Sequence, residues 1–345
     1  MPPSRPRKTV TLKSLAEELG IDISTVSRVL NGDQTRVREA ASEATVKRIQ
    51  DLAAKLEYRP NPHALHLRLQ QSREIGVLMP RLSDLVMATV YDGIDAAAQE
   101  AGYTAFVINT LDDPERQVAR AKQALQMRVA GLLISDTHIG SRQPLLKLLK
   151  DQGVPYVLVY RRHAAHPAVT GDDRKGGALA AEHLFERGHR HVGVLAGYAF
   201  ARSSLDRTQA FLEYFGKKGV RVPESAVIHG NVDPAAGRLQ GAELLRRHPE
   251  TTAVFAINDF LAVGCMGVFR DAGRTIGKDV AVVGYNDTSI AGELPVALTS
   301  INVSMEEVGR RAARKLLARI AGLDVTSELV DADLRVRASS DFTLN

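Results

Sequence analysis

The chain has no tryptophan and a single cysteine, Cys265, in 345 residues. One thiol excludes an internal disulfide framework and any multi-cysteine metal site, and it suits a reducing cytoplasm. Cys265 lies in the apolar run FLAVGCMGVF, where a buried and inert thiol is expected. No apolar run reaches the ~20 residues that a membrane-spanning helix needs. The basic start MPPSRPRKTV has no apolar stretch behind it, so no secretory signal is expected and the cytoplasm is the expected compartment. Also missing are the G-x-x-x-x-G-K-[ST] phosphate loop, a G-x-G-x-x-G after the first strand and a G-x-S-x-G elbow, which argues against an enzyme. His163 with His166, and His189 with His191, have no cysteine partner and no H-E-x-x-H, so neither a metal nor another cofactor is expected.

What the chain does have is charge placed unevenly. Residues 1–73 carry 13 Lys and Arg against 8 Asp and Glu, while the rest balances at 32 against 32. A basic head on a neutral body suggests one part that meets phosphate and another that does something else. In the head, Thr11 can cap LKSLAEEL, whose Leu12, Leu15, Ala16 and Leu19 recur at helical spacing, and Gly20 supplies the stop. Asp22 can cap a second helix from Ile23 to about Asn31, with Val26, Val29 and Leu30 inward and Ser24, Ser27 and Arg28 on the opposite face. A third helix over Ser42 to Leu56 would complete a three-helix core. Two helices around a glycine turn match the helix-turn-helix, whose second helix enters the major groove.

From Glu74 the chain alternates short apolar strands with amphipathic helices, the rhythm of parallel sheets with crossover helices, and does so in two similar sets. Two lobes, each a doubly wound parallel sheet, would leave a ligand cleft outside the carboxyl ends of their strands. Tyr160 ends VPYVLVY, Asn258 and Asp259 follow AVFAI, Asn286 and Asp287 follow VVGY, and Arg207 opens the helix after HVGVLAG. For each residue alone a helix cap or loop hydrogen bond is the plainer explanation; their shared place at strand ends favours a ligand. With no tryptophan, stacking on a sugar face would rest on Tyr160, Phe200 or Phe260.

The motifs TVSRVLNG and YRPN, the latter followed by A-x-x-L at Ala64 and Leu67, resemble the lactose-repressor family of bacterial transcription regulators over nearly the whole chain. The resemblance implies that Ile23, Ser24 and Arg28 read bases, Arg28 by bidentate donation to guanine. It implies that Thr25, Ser27 and Asn31 hold phosphate. In the hinge, the leucine matched by Leu67 would wedge into the minor groove, flanked by Asn61, Ala64 and Arg68. The loop DQTRVREAA is longer than the family's usual connection. The body looks like a periplasmic sugar-binding protein, with Arg207, Asn258 and Asn286 at effector positions.

The expected organisation is an N-terminal all-α DNA-binding head over 1–58, a hinge over 59–73 and a two-lobed α/β effector domain over 74–345. Lobe one takes about 74–170 and 302–330, and lobe two about 171–301 and 331–345. The family implies a homodimer on pseudo-palindromic double-stranded operator DNA, most simply as a repressor, with an effector that acts allosterically from between the lobes. Many family members have an aspartate where this chain has Tyr160 or Asn286, and sugar- and purine-binding relatives often have a flat aromatic where it has Val232. With acid removed and Arg207 kept, a sugar acid or other small carboxylate gains weight beside a neutral sugar. A solute-binding protein would explain the body but leaves the head without a purpose, and an enzyme on the same fold is the third reading.

Overall fold

The protein is described here from a computed structural model, which places residues 10–31, 37, 39–58, 72–138, 140, 143–163 and 166–344. The chain separates into two compact units, residues 1–72 and 73–345.

In the first unit, α1 (Leu12–Leu19), α2 (Ile23–Asn31) and α3 (Glu43–Lys55) enclose a core of Leu15, Ala16, Val26, Val29, Ile49 and Ala53. The α1 entry is a reciprocal cap: Ser14 N–H donates to Thr11 Oγ1 at 3.2 Å and Thr11 N–H donates to Ser14 Oγ at 2.9 Å. Gly20 ends α1 at φ +65°, where a side chain would be strained, and its N–H returns to the carbonyls of Ala16 and Glu17. The connection from α2 to α3 is not all loop: Val37, Glu39 and Ala40 within it are helical.

The second unit holds two six-stranded sheets. Sheet one runs β11-β5-β4-β3-β1-β2, all parallel, from β1 (Glu74–Met79), β2 (Thr104–Asn109), β3 (Gly131–Ile134), β4 (Tyr156–Val159), β5 (Ala168–Gly171) and β11 (Glu328–Val330). Sheet two runs β12-β10-β9-β8-β6-β7, from β6 (Val192–Gly197), β7 (Val227–His229), β8 (Ala253–Ala256), β9 (Ala281–Tyr285), β10 (Thr299–Val303) and β12 (Ala332–Arg335). The expectation of purely parallel sheets needs one correction, because β12 pairs antiparallel with β10. It can do so because the chain passes from β11 to β12 across a single residue, Asp331, and so reaches the second sheet without a crossover helix.

Helices α4 (Leu85–Glu100), α5 (Pro114–Gln126), α6 (Pro144–Asp151) and α11 (Met305–Ile320) cover sheet one; α7 (Asp173–Glu186), α8 (Arg202–Lys217), α9 (Pro234–Arg247) and α10 (Asp259–Asp271) cover sheet two. The chain changes lobes three times, between β5 and α7, between β10 and α11, and between β11 and β12. Buried on both faces, β3, β4, β6, β8 and β9 are continuous buried runs rather than alternating ones. α4 and α11 touch backbone to backbone: a Cβ on Gly93 would lie 1.9 Å from the Glu306 carbonyl oxygen, and one on Gly309 would lie 1.9 Å from that of Val90. Cys265 is fully buried in α10, and burial pushes its thiol up to about 12.

Two buried histidines tie the last residues down. His183 Nε2 is 2.7 Å from Ser340 Oγ, and the His189 ring meets Phe342 edge-on at 5.4 Å. Burial, aided by the Arg187 charge, holds both imidazoles down at about 4. Both therefore fold as neutral rings, and unfolding takes up protons below pH ~6.5, so stability present above that pH is lost as pH falls toward 4. Each histidine contributes up to about 3 kcal/mol to that loss. The buried Asp259 carboxyl, raised by burial to about 6, works the other way over part of the window. Asp84, Asp136 and Asp173 are likewise raised by burial and oppose the loss, so the histidine part is isolated by comparison with His183→Gln: the stability gap between the unaltered protein and this variant should narrow as pH falls from neutral toward 4. Urea midpoints of the two across that range measure it, and a gap that does not narrow would contradict it.

Candidate nucleic-acid interface and ligand cleft

The start of α2 is built for contact. Asp22 Oδ1 accepts the Ser24 N–H at 2.8 Å, so the helix begins at Ile23, an apolar residue left 46% exposed. One turn on, Arg28 Nη2 donates to Ser24 Oγ at 3.0 Å, which holds the guanidinium over the same open face. Ser24 and Arg28 are exposed, Thr25 is half-buried, and Asn31 closes the helix. Ser27 departs from expectation: at 8% exposure it is buried with the core side of α2 rather than presented beside Ser24 and Arg28. The hinge assignments, Asn61, Ala64, Leu67 and Arg68, lie outside the described residues.

Between the two lobes lies a cavity of about 240 Å³. Arg81, Ser83 and Asp84 from the turn after β1 form one wall, and Tyr198, Val232, Asp233, Pro234 and Phe260 form the other. Asp84 caps α4 by accepting the Val86 N–H at 2.9 Å, and burial raises its carboxyl above the usual range. Asp233 caps α9 in the same way through Ala236 N–H at 2.8 Å.

Of the seven ligand positions read from sequence, Phe260 lines this cavity and the other six do not. Asn258 is a helix cap: its Oδ1 accepts Leu261 N–H at 2.8 Å and its Nδ2 donates to the Val232 carbonyl at 2.9 Å. Both Asp259 oxygens are in use, by Ser300 Oγ at 2.6 Å and by the Thr288 N–H and hydroxyl at 2.7 and 2.9 Å. Asp287 is paired with Arg337 at 2.6 Å. Arg207 does not open α8; the helix begins at Arg202, and Arg207 is 1% exposed within it. Its Nε donates to Asp173 Oδ1 at 2.7 Å, its Nη1 donates to the Ile257 carbonyl at 2.7 Å, and Tyr285 lies under the guanidinium at 3.6 Å. Tyr160 is half-buried with its ring 5.9 Å from the same guanidinium. Asn286 stands apart: it sits at φ +93°, and its Oδ1 is buried with no hydrogen-bond partner among the described residues.

Asp173 neutralises Arg207, and Asp84 and Asp233 stand at the cavity. Sequence reasoning missed Arg81, Ser83, Asp84, Tyr198 and Asp233, although they follow β1, β6 and β7, the strand-end positions searched elsewhere.

A second network joins the lobes. Arg161 donates twice to Asp112, at 2.7 and 2.9 Å, and His138 Nε2 lies 2.9 Å from the same carboxylate. Burial would raise the Asp112 carboxyl, but the bonds from His138 and Arg161 outweigh it and hold it at about 2. The His138 ring of lobe one stacks on Phe200 of lobe two at 4.2 Å, and Phe200 stacks on Tyr198 at 4.8 Å. Leu111, Asp112, Tyr160, Asn286 and Asp287 all have positive φ, so backbone strain gathers at the strand ends around the cleft.

A capped, open second helix in a three-helix head, followed by two parallel-sheet lobes around a cleft, also occurs in known proteins. Residues 11–61 match the family described as "Bacterial regulatory proteins, lacI family", and residues 181–340 match "Periplasmic binding protein-like domain". The solved lac repressor dimer bound to operator and the anti-inducer ONPF superposes with a TM-score of 0.87 at 26% identity, covering 96% of this chain and 99% of that one. The chain belongs to the lacI family of bacterial regulatory proteins. This lacI-family regulator is 27% identical to the HTH-type transcriptional repressor PurR of Vibrio atlanticus (strain LGP32), over 91% of its own length and 93% of that repressor's. It is 28% identical to PurR of Escherichia coli O139:H28 (strain E24377A / ETEC), over 90% of each chain. The complex of the transcriptional regulator CelR with cellobiose matches it with a TM-score of 0.72 at 28% identity, over 96% and 99% of the two chains. No helix among the described residues is long and apolar enough to cross a membrane.

Proposed function

We propose that this lacI-family regulator is a cytoplasmic repressor that binds a pseudo-palindromic operator as a homodimer, and that a small neutral sugar between its lobes sets its operator affinity. The DNA-binding part rests on α2, which offers Ile23, Ser24 and Arg28 together from a capped helix start. Ile23 and Ser24 suit contact with base edges, and Arg28 suits guanine. Thr25 and Asn31 suit phosphate, which fixes register without reading sequence. Ser27 is too buried to share that work before the head meets DNA.

The sugar reading rests on the cleft cavity. Tyr198 and Phe260 supply aromatic rings, Asp84 and Asp233 supply acceptors, Arg81 supplies donors, and this mixture suits hydroxyl groups better than it suits an anion. At about 240 Å³ the cavity suits a ligand smaller than those that fill sites of roughly 300–1,000 Å³. Ligands in two solved relatives agree in class, cellobiose in CelR and ribose in the lacI-family regulator of Enterococcus faecium. Because Tyr198 also carries the cross-lobe stack with Phe200 and His138, a ligand beside it biases how the lobes face each other.

Thermal unfolding of the full chain against neutral sugars, the matching sugar acids and other small carboxylates tests the reading. A bound sugar at a hundred times its Kd adds about 2.7 kcal/mol to the native state. Neutral sugars should shift the midpoint and their acids should not; the reverse would return the cleft to an anionic effector.

A further inference from the structure

A larger cavity, of about 470 Å³, opens where the segment after β4 meets the start of α8 and the β5–β11 edge of sheet one. It shares no lining residue with the cleft cavity. We propose that it is a second ligand site, selective for a small phosphate-bearing molecule, held by Arg162, Arg202 and His163.

The charge balance carries the argument. Arg162 Nη2 and Arg202 Nε both reach Asp206, at 2.7 and 3.0 Å, and the Asp206 side chain is only 2% exposed. One buried carboxylate thus holds two guanidiniums, and one positive charge is left over at the cavity wall. The arginine side chains stay 45% and 43% exposed, so each keeps N–H groups beyond those directed at Asp206. The acid in the wall, Glu328, is already held by Arg311 at 2.8 Å and Lys315 at 3.0 Å, and it brings no net negative charge.

The histidines add an independent sign of something unfilled. His163 Nδ1 is buried with no hydrogen-bond partner among the described residues, although buried polar atoms are nearly always paired. Its neighbour His166, with ring centroids 5.6 Å apart, is already engaged through Nδ1 by the Tyr156 hydroxyl at 2.6 Å. Arg202 also opens the 16-residue helix α8, whose cap residue Ala201 offers no side-chain hydrogen bond to the first turn, so the positive end of the helix is uncapped. Two guanidiniums, an unfilled imidazole and a helix start supply donors in several directions. A tetrahedral oxyanion uses that arrangement more fully than a planar carboxylate.

The test is calorimetric titration of the full chain, without DNA, with inorganic phosphate, sulfate and acetate at constant ionic strength. Phosphate should bind saturably in the millimolar range or tighter, and acetate much more weakly. Arg162→Gln and Arg202→Gln each leave the other guanidinium on Asp206, and each should raise the phosphate Kd about tenfold or more. His163→Ala does not touch Asp206 and should weaken phosphate as well, which keeps the test decisive if an arginine variant fails to fold. Absence of saturable phosphate binding, equal binding of acetate, or a Kd unchanged in all three variants would each overturn the proposal. The sugar screen of the cleft stands or falls separately, because the two cavities have no wall in common.

Discussion

Arg207→Ala is expected to cost about 3–5 kcal/mol of stability, the scale seen when one partner of a buried ion pair is removed. Arg207 is the largest fully buried side chain among the described residues. Alanine would leave Asp173, 7% exposed, as a charge without its guanidinium, and would leave the Ile257 carbonyl without its donor. Burial already pushes the Asp173 carboxyl above the usual range, so protonation of Asp173 is the route by which the variant would limit the damage. The loss should accordingly shrink as pH falls. Arg207→Lys keeps the charge but not the fork that spans Asp173 and Ile257, and should recover only part of the stability. The double variant Arg207→Ala with Asp173→Asn should be less damaging than the sum of the single ones, because the neutral amide no longer needs the cation. Urea unfolding measures all three. A loss below about 1 kcal/mol for Arg207→Ala would mean that the pair is not the keystone of lobe two.

That role was hidden in the sequence because Asp173 precedes Arg207 by 34 positions and the two meet only when α7 packs on α8. What one chain reveals by itself is periodicity. The strands YVLV, AVFA and AVVGY stood out because parallel strands buried on both faces are apolar throughout. β5, AVTG, and β10, TSINV, did not, since they are short, partly polar and lie where the chain changes lobes. Helix caps were legible at Thr11 and Asp22, where an apolar stripe follows directly. At Asn258 the same cap chemistry was open to two readings, because an asparagine after a strand looks alike whether it binds a helix amide or a ligand. Ser27 shows the limit of a face read from spacing. It lies one position before Arg28, yet the packing of α1 and α3 decides which of the two is covered. The cross-lobe stack of His138, Phe200 and Tyr198 joins loops from different lobes, and no local pattern encodes it.

Operator affinity should fall roughly a thousandfold between about 50 and 200 mM salt, if the dimer neutralises on the order of six phosphates and releases their counterions. The expectation comes from the placement of charge: the whole surplus of positive charge lies within residues 1–73, and the remainder of the chain is balanced. Arg28 should behave differently from the phosphate contacts around it. Its guanidinium is held on the open face by Ser24, one turn from the helix start, where a side chain reaches base edges. Arg28→Ala should cost about 1–3 kcal/mol on the preferred operator, relax preference at one base pair, and leave the salt slope nearly unchanged. A neutral substitution at a phosphate-contacting cation should instead weaken all sequences alike and reduce the slope by about one. Binding curves on the operator and on a scrambled duplex, each at several salt concentrations, separate the two behaviours. A flat salt dependence would remove the head from DNA binding, and an Arg28 variant that loses affinity equally on both duplexes would reassign that residue from bases to backbone.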